Sequence, residues 1–181
     1  GITKYATLNG FWTFFTEPVF YRQIAQKPTK LLRRIRELDA NGIILYDLDF
    51  TAEIKKAGIP AIIVATNKKQ TGPIPYIDTD CNKISSMAAD HLLEKGFKNF
   101  GYCGFEHLYW SQERAREFTN IIETAGYKVN LYEPDLPSKS ALIEKEIPFL
   151  LSWLKSLSKP VGIFACNDDR GRLLIECCKI L

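Results

Sequence analysis

The chain has 181 residues, which at roughly 150 residues per domain is one generous domain or two small lobes. Hydrophobic residues at 46% and charged residues at 25% form an ordinary globular balance, which excludes a disordered or fibrous chain. A net charge of +3, from 24 basic and 21 acidic side chains, is too slight and too scattered to argue for nucleic acid. No apolar run approaches the roughly 20 residues that span a bilayer.

The opening residues, Gly1-Ile2-Thr3-Lys4-Tyr5, lack the basic region and apolar stretch of a signal peptide. They also lack an initiator Met, so the expectation is a chain cut from something longer. Short β-rich runs then alternate with longer helical ones. Strands are expected at 12–16, 42–46, 61–65, 76–78, 99–103, 128–132 and 161–166. Ile43-Ile44-Leu45 and Ile62-Ile63-Val64 are wholly apolar, so both faces need covering, which marks a parallel sheet beneath helices.

The helical stripes are equally plain. Leu31, Leu32, Ile35 and Leu38 follow Pro28. Ile84, Met87, Ala88, His91 and Leu92 recur at helical spacing, which makes His91 a partly buried helix residue. Ala115, Phe118, Ile121, Ile122 and Ala125 make the next stripe, then Ile143, Ile147, Leu150, Leu151 and Leu154. The last starts after Asn167 and groups Leu174, Cys177, Cys178 and Leu181.

Gly42, Gly58, Gly96 and Gly126 each precede an apolar residue and follow a helical segment, as helix stops in the left-handed conformation do. Loops from helix to strand are therefore short. Those from strand to helix are longer: 47–50, 66–75, 104–110 and 133–140. Ligands of open α/β sheets bind at the carboxyl ends of strands, so function is expected in these longer loops.

Five cysteines, an odd number with no C-x-x-C pair, read as core thiols of a reducing compartment, and the cytosol is expected. Neither His91 nor His107 lies at metal-ligand spacing from a cysteine pair, so no metal site is expected. Gly101-Tyr102-Cys103-Gly104 fits neither phosphate-binding glycine motif. With no G-x-S-x-G or H-E-x-x-H either, no catalytic residue and no cofactor is expected.

The strand ends do carry polar and aromatic groups. Phe105, Glu106, His107, Tyr109 and Trp110 follow one strand, with Ser111 as a helix N-cap and Arg114 one turn in. Asn167 and Asp168 follow another, and Asp78-Thr79-Asp80 precedes the helix bearing His91. Carboxylates, amides and guanidinium groups that take hydroxyls, beside an aromatic face for an apolar ring, suit a sugar. The plainer reading also stands: Ser111, Asn167 and Asp80 are good caps, Asp168 and Asp169 complement a helix dipole, and Trp110 anchors a loop. The run Leu32-Arg33-Arg34-Ile35-Arg36 is a solvated helix face rather than a nucleic-acid patch.

Four ordered stretches carry a family resemblance. Tyr76-Ile77-Asp78-Thr79-Asp80 with Met87-Ala88-Ala89-Asp90-His91 resembles the crossover segment of LacI/GalR-type effector domains. Asn99 to Gly104 resembles the strand entering their second lobe, Ser111 to Phe118 their R-x-x-x-F helix, and Gly162 to Asp168 their strand ending in Asn-Asp. Trp110, the run Asp168-Asp169-Arg170-Gly171-Arg172, and Tyr5 to Trp12 are more similar to xylose-operon regulators. Cys81 departs from the commoner pattern, in which Asn follows the Asp of position 80.

The resemblance implies an α/β fold of two Rossmann-like lobes with parallel sheets, periplasmic-binding-protein type I-like and incomplete at both ends. It implies an N-terminal lobe at 1–97, a C-terminal lobe at 98–181, and a crossing near 96–98. It implies a sugar effector, xylose or a related monosaccharide, held by Arg114, Asp168 and Asn167, with Trp110 stacking and Asp80 contributing. It further implies a homodimeric, non-enzymatic cytosolic transcription regulator, reaching operator DNA through an AraC-type domain outside this chain and having no membrane partner. A periplasmic sugar-binding protein of a transporter and an α/β enzyme acting on a nucleotide or phosphosugar are the rival readings.

Overall fold

The computed structural model describes residues 1–10, 12–15, 28–45, 51–64, 72, 74–133 and 143–181. Helix α1 (Ile2–Asn9) and helix α2 (Pro28–Glu37) precede strand β1 (Ile43–Leu45), helix α3 (Thr51–Lys56), strand β2 (Ala61–Val64) and strand β3 (Tyr76–Ile77). Helix α4 (Cys81–Glu94), strand β4 (Asn99–Cys103), helix α5 (Tyr109–Thr124) and strand β5 (Val129–Leu131) follow. Helix α6 (Ile143–Ser156), strand β6 (Val161–Ala165) and helix α7 (Asp168–Ile180) complete the order.

The strands form two three-stranded parallel sheets, in the orders β1-β2-β3 and β5-β4-β6. In the first, Leu45, Ile63 and Ile74 pack with Ile54 of α3. The second is sandwiched. Successive side chains of a strand point to opposite faces, so Phe100 and Tyr102 of β4 meet Ala89, Phe118 and Ile122 on the α4/α5 side. Cys103 instead joins Leu150 and Leu154 of α6 and Leu174 and Cys177 of α7. Truncating a side chain as enclosed as Phe118 to Ala costs about 3–5 kcal/mol.

Helix α4 precedes Gly96, the residue near which the crossing is expected, yet it packs on the second sheet through Ala88, Ala89, Leu92 and Leu93. The cause lies in side-chain size: Ser85 and Ala89 are fully buried, which lets α4 lie close to α5, and Ser85 Oγ donates to the Arg114 carbonyl at 3.0 Å. The same closeness leaves no room at Gly162, where a Cβ would stand 3.0 Å from Leu92 Cδ2.

Several local expectations are corrected. Residues 12–15 are not a strand, and Trp12 instead contacts the rings of Tyr5 at 6.0 Å and Phe14 at 6.0 Å. His91 and Met87 are exposed rather than part of the buried stripe, because α4 turns its small residues inward. Cys178 and Leu181 are exposed too, since α7 buries Arg170, Leu174 and Cys177.

Gly58, Gly96 and Gly126 adopt positive φ as helix stops, at 68°, 80° and 87°. After α4 the N–H of Phe97 reaches the Leu92 carbonyl at 3.3 Å and that of Gly96 the Leu93 carbonyl at 2.9 Å, a Schellman closure. Gly42 does not play this part. Asp39, at φ 46°, ends α2 instead, and the N–H of Ala40 returns to the Ile35 carbonyl at 3.2 Å. Aspartate tolerates that conformation because its short polar side chain bonds locally. The expected loops at 47–50 and 134–140, and the strand ends at Thr16, Tyr46 and Ala65, lie outside the described residues.

Candidate functional site

In the second sheet β4 is central, with β5 on one side and β6 on the other. The chain thus reverses direction across the sheet between β4 and β6, and in open α/β sheets the carboxyl edge at such a reversal is where a ligand crevice forms. Gly104 and Phe105 leave β4 there, and Cys166 and Asn167 leave β6.

The β4 exit is fixed by a buried hydroxyl pair. Ser111 is expected to cap α5, but the helix begins two residues earlier, with Leu108 at the cap and no side-chain bond. Ser111 lies inside, where its Oγ accepts the Phe105 N–H at 2.8 Å. The Tyr102 hydroxyl donates to the Ser111 carbonyl at 2.6 Å. A Cβ at Gly104 would collide with both Ser111 Oγ and the Tyr102 ring. Burial pushes the Tyr102 hydroxyl well above its usual range, partly offset by its bond to Ser111, so it remains a donor.

Arg114 spans this edge. Its Nη1 donates to the Cys166 carbonyl at 2.5 Å and its Nη2 to Thr79 Oγ1 at 3.2 Å. Its guanidinium carbon stands 4.8 Å from the centroid of the Trp110 ring, within cation–π range. Arg114 Nε is buried without a hydrogen-bond partner among the described residues. One arginine therefore ties α5, the end of β6 and the segment after β3 together.

Asn167 caps α7, its Oδ1 accepting the Arg170 N–H at 3.0 Å. That leaves the Nδ2 hydrogens to donate elsewhere. Asp168 is exposed in the first turn of α7. Asp80 is exposed and caps α4, its Oδ1 accepting the Lys83 N–H at 2.9 Å. Arg114, Trp110 and Asn167 thus meet around the end of β6, with Asp168 next to Asn167. Asp80 follows Thr79, the Arg114 partner.

A second charged group at this edge escaped the sequence reading. Arg170 is 7% exposed. It pairs with Glu146 of α6 at 2.6 Å and lies 4.1 Å over the Phe105 ring centroid. The signal was present: Arg170, Leu174 and Cys177 share one stripe of α7, and Glu146, Leu150 and Leu154 one stripe of α6. A charge on an apolar stripe must be paired. Tyr132, after β5, borders the pair, and burial chiefly, with the Glu146 carboxylate adding, pushes its hydroxyl above the usual range.

Buried thiols line the same sheet. Burial pushes Cys103 up to about 12, with Arg170 pulling the other way, and Cys166 is raised for the same first reason. These are inert core thiols. Among the described residues no group of three or more His, Cys, Asp or Glu side chains could hold a metal ion. Among them, too, no helix is long and apolar enough to cross a membrane.

Residues 89–181 match the family of periplasmic binding protein-like domains. The chain belongs to that family. The match carries the resemblance to LacI/GalR-type effector domains from motif to family, and the parallel α/β sheets agree with it. The xylose operon regulatory protein of Haemophilus influenzae is 35% identical over 153 residues, covering 80% of this chain and 39% of that protein. The chain spans about two fifths of the length of the curated relatives it matches. Among solved structures, a xylose-binding transcription activator, xylR, shares the fold at a TM-score of 0.67 and 21% identity, covering 93% of this chain and 49% of that one. A periplasmic binding protein/LacI transcriptional regulator from Alkaliphilus metalliredigens, complexed with D-xylulofuranose, does so at 0.66 and 19%, covering 99% and 64%.

Proposed function

We propose that this chain is the sugar-sensing part of a transcription regulator, with D-xylose or a closely related monosaccharide as effector. The observation that carries the reading is the Arg114–Trp110 stack held across the crevice between β4 and β6. A pyranose offers an apolar face to an indole and hydroxyls to fixed donors. Arg114 Nε and Asn167 Nδ2 are such donors, and the carboxylates of Asp168 and Asp80 are the matching acceptors. The xylose-related names of the relatives support the choice of sugar.

The chain is divided into two lobes, one per sheet. From sequence the division is expected between residues 97 and 98; the packing of α4 on the second sheet favours a division just ahead of Cys81. Sugar in the crevice stabilises one arrangement of the lobes, and the dimer's affinity for operator DNA follows that population. The DNA-binding part, AraC-type by resemblance, belongs to the remainder of the protein. No chemical step is needed, so the reading is not that of an enzyme.

All five cysteines are unpaired. That favours a cytosolic regulator over a periplasmic transport protein, where oxidising conditions pair exposed thiols. The test is a thermal-shift screen of pentoses and hexoses on the full-length protein. D-Xylose is expected to raise the melting temperature most. A screen in which no sugar raises it contradicts the reading.

A further inference from the structure

At the strand-end edge charged and aromatic groups follow one another in one continuous line. Glu146 binds Arg170 at 2.6 Å, and Arg170 lies 4.1 Å over the Phe105 ring centroid. Phe105 meets the Trp110 ring edge-on, with centroids 6.2 Å apart and planes at 74°. Trp110 in turn carries Arg114 at 4.8 Å. The line joins α6, α7, the β4 exit and α5.

We infer that Arg170 is a positioning residue for the ligand: acting through Phe105, it fixes the plane of Trp110 and so the surface on which the sugar ring stacks. This rests on the sugar-binding reading above. The physical basis is the order of the contacts. Phe105 follows Gly104, whose lack of a side chain is required by Tyr102 and Ser111, so its backbone is set, but its ring is only half-buried. A guanidinium on one face removes that freedom, because the planar cation covers the ring while Glu146 holds the cation from behind. Phe105 is then a fixed wall against Trp110. A stacking platform that is already oriented spends no binding energy on ordering.

The same geometry assigns Glu146 a distinct part. It neutralises Arg170 and sets the direction of its fork. Arg170→Lys keeps the charge beside Glu146 but loses the planar cover on Phe105. The pair can also be removed together: Glu146→Leu with Arg170→Met leaves no uncompensated buried charge, and such replacements are tolerated by folds.

The experiment is calorimetric titration of D-xylose and D-ribose into the full-length protein and three variants: Arg170→Lys, Glu146→Leu/Arg170→Met, and Phe105→Leu. Each is paired with a melting curve and with acrylamide quenching of tryptophan emission, measured beside the same protein carrying Trp110→Phe, so that the difference reports Trp110. The expected result is a tenfold or greater loss of D-xylose affinity in all three. The preference for D-xylose over D-ribose narrows, and quenching of Trp110 rises in the absence of sugar. The double variant, expected to melt close to the parent, decides the matter: wild-type affinity and quenching there overturn the inference while leaving the sugar reading intact. A parent protein that binds neither sugar overturns both.

Discussion

Arg114 holds its guanidinium carbon 4.8 Å from the centroid of the Trp110 ring while donating to the Cys166 carbonyl at 2.5 Å. The first contact needs a flat aromatic face, and the second needs a strand that stops at residue 165. Cation–π contacts are worth about 0.5–2 kcal/mol, depending on exposure, and base-free stacking of a sugar adds to that. Trp110→Leu is therefore expected to weaken D-xylose binding about tenfold, and Trp110→Phe by less. Equal losses in the two variants, measured by titration calorimetry, would show that the aromatic face is not what binds.

Ser111 tests the buried support of the same edge. Its Oγ accepts the Phe105 N–H at 2.8 Å and lies 3.2 Å from the Tyr102 hydroxyl. Ser111→Ala strands a backbone donor, at a cost of about 1–3 kcal/mol. A melting curve should drop by several degrees, at roughly 2–4 °C per kcal/mol for a protein of this size. Were Ser111 an exposed hydroxyl without these bonds, the drop would be near zero.

The helix stops offer a paired comparison. Nothing stands within 4 Å of a Cβ added at Gly96, so Gly96→Ala meets no clash and the cost comes from φ 80° alone. That cost is about 1–2 kcal/mol. At Gly42 a Cβ would sit 3.6 Å from the Pro60 carbonyl, an ordinary contact, at a residue without positive φ. Urea titration should find Gly96→Ala destabilised and Gly42→Ala close to the parent; equal midpoints would contradict the assignment of Asp39 as the stop of α2.

Alkali should loosen the packing around the second sheet. Burial raises Cys103 from 9.0 to about 12. It raises Cys166, Tyr102 and Tyr132 in the same direction. The folded chain therefore keeps protons that the unfolded chain gives up. Stability from these groups is complete below pH 9 and is lost as pH climbs from 9 toward 12. Urea midpoints should fall across that window. At neutral pH a maleimide should label exposed Cys178 at once, and Cys103 only on unfolding; prompt labelling of Cys103 would contradict the packing.

Much of this was legible in the residues. Ile43-Ile44-Leu45 and Gly162 to Ala165 are parallel strands as their apolar runs implied, although one face of the first is open at the exposed Ile44, and Asn167 and Asp80 do cap their helices. The strand-end aromatics and Arg114 gather as their loop positions implied. What was not legible depended on neighbours. Aromatic residues 12–15 mimic a strand because strand and aromatic-cluster preferences use the same side chains. Ser111 resembles a cap because hydroxyls serve caps and buried turns alike. The assignment of α4 to a sheet turned on Ser85 and Ala89 fitting against α5, a property of two surfaces rather than one sequence. Arg170 and Glu146 were visible only as charges on apolar stripes, and their pairing needed the third dimension.

On the proposed reading, the strand-end edge between β4 and β6 binds a sugar through Arg114 and Asp168. The most direct measurement is calorimetric titration of D-xylose into the full-length protein and its Arg114→Ala and Asp168→Ala variants, with folding checked by circular dichroism. Charged hydrogen bonds of this kind contribute about 1.5–3 kcal/mol each, so affinity should fall roughly 10- to 150-fold in each folded variant. Unchanged affinity in both would contradict the account.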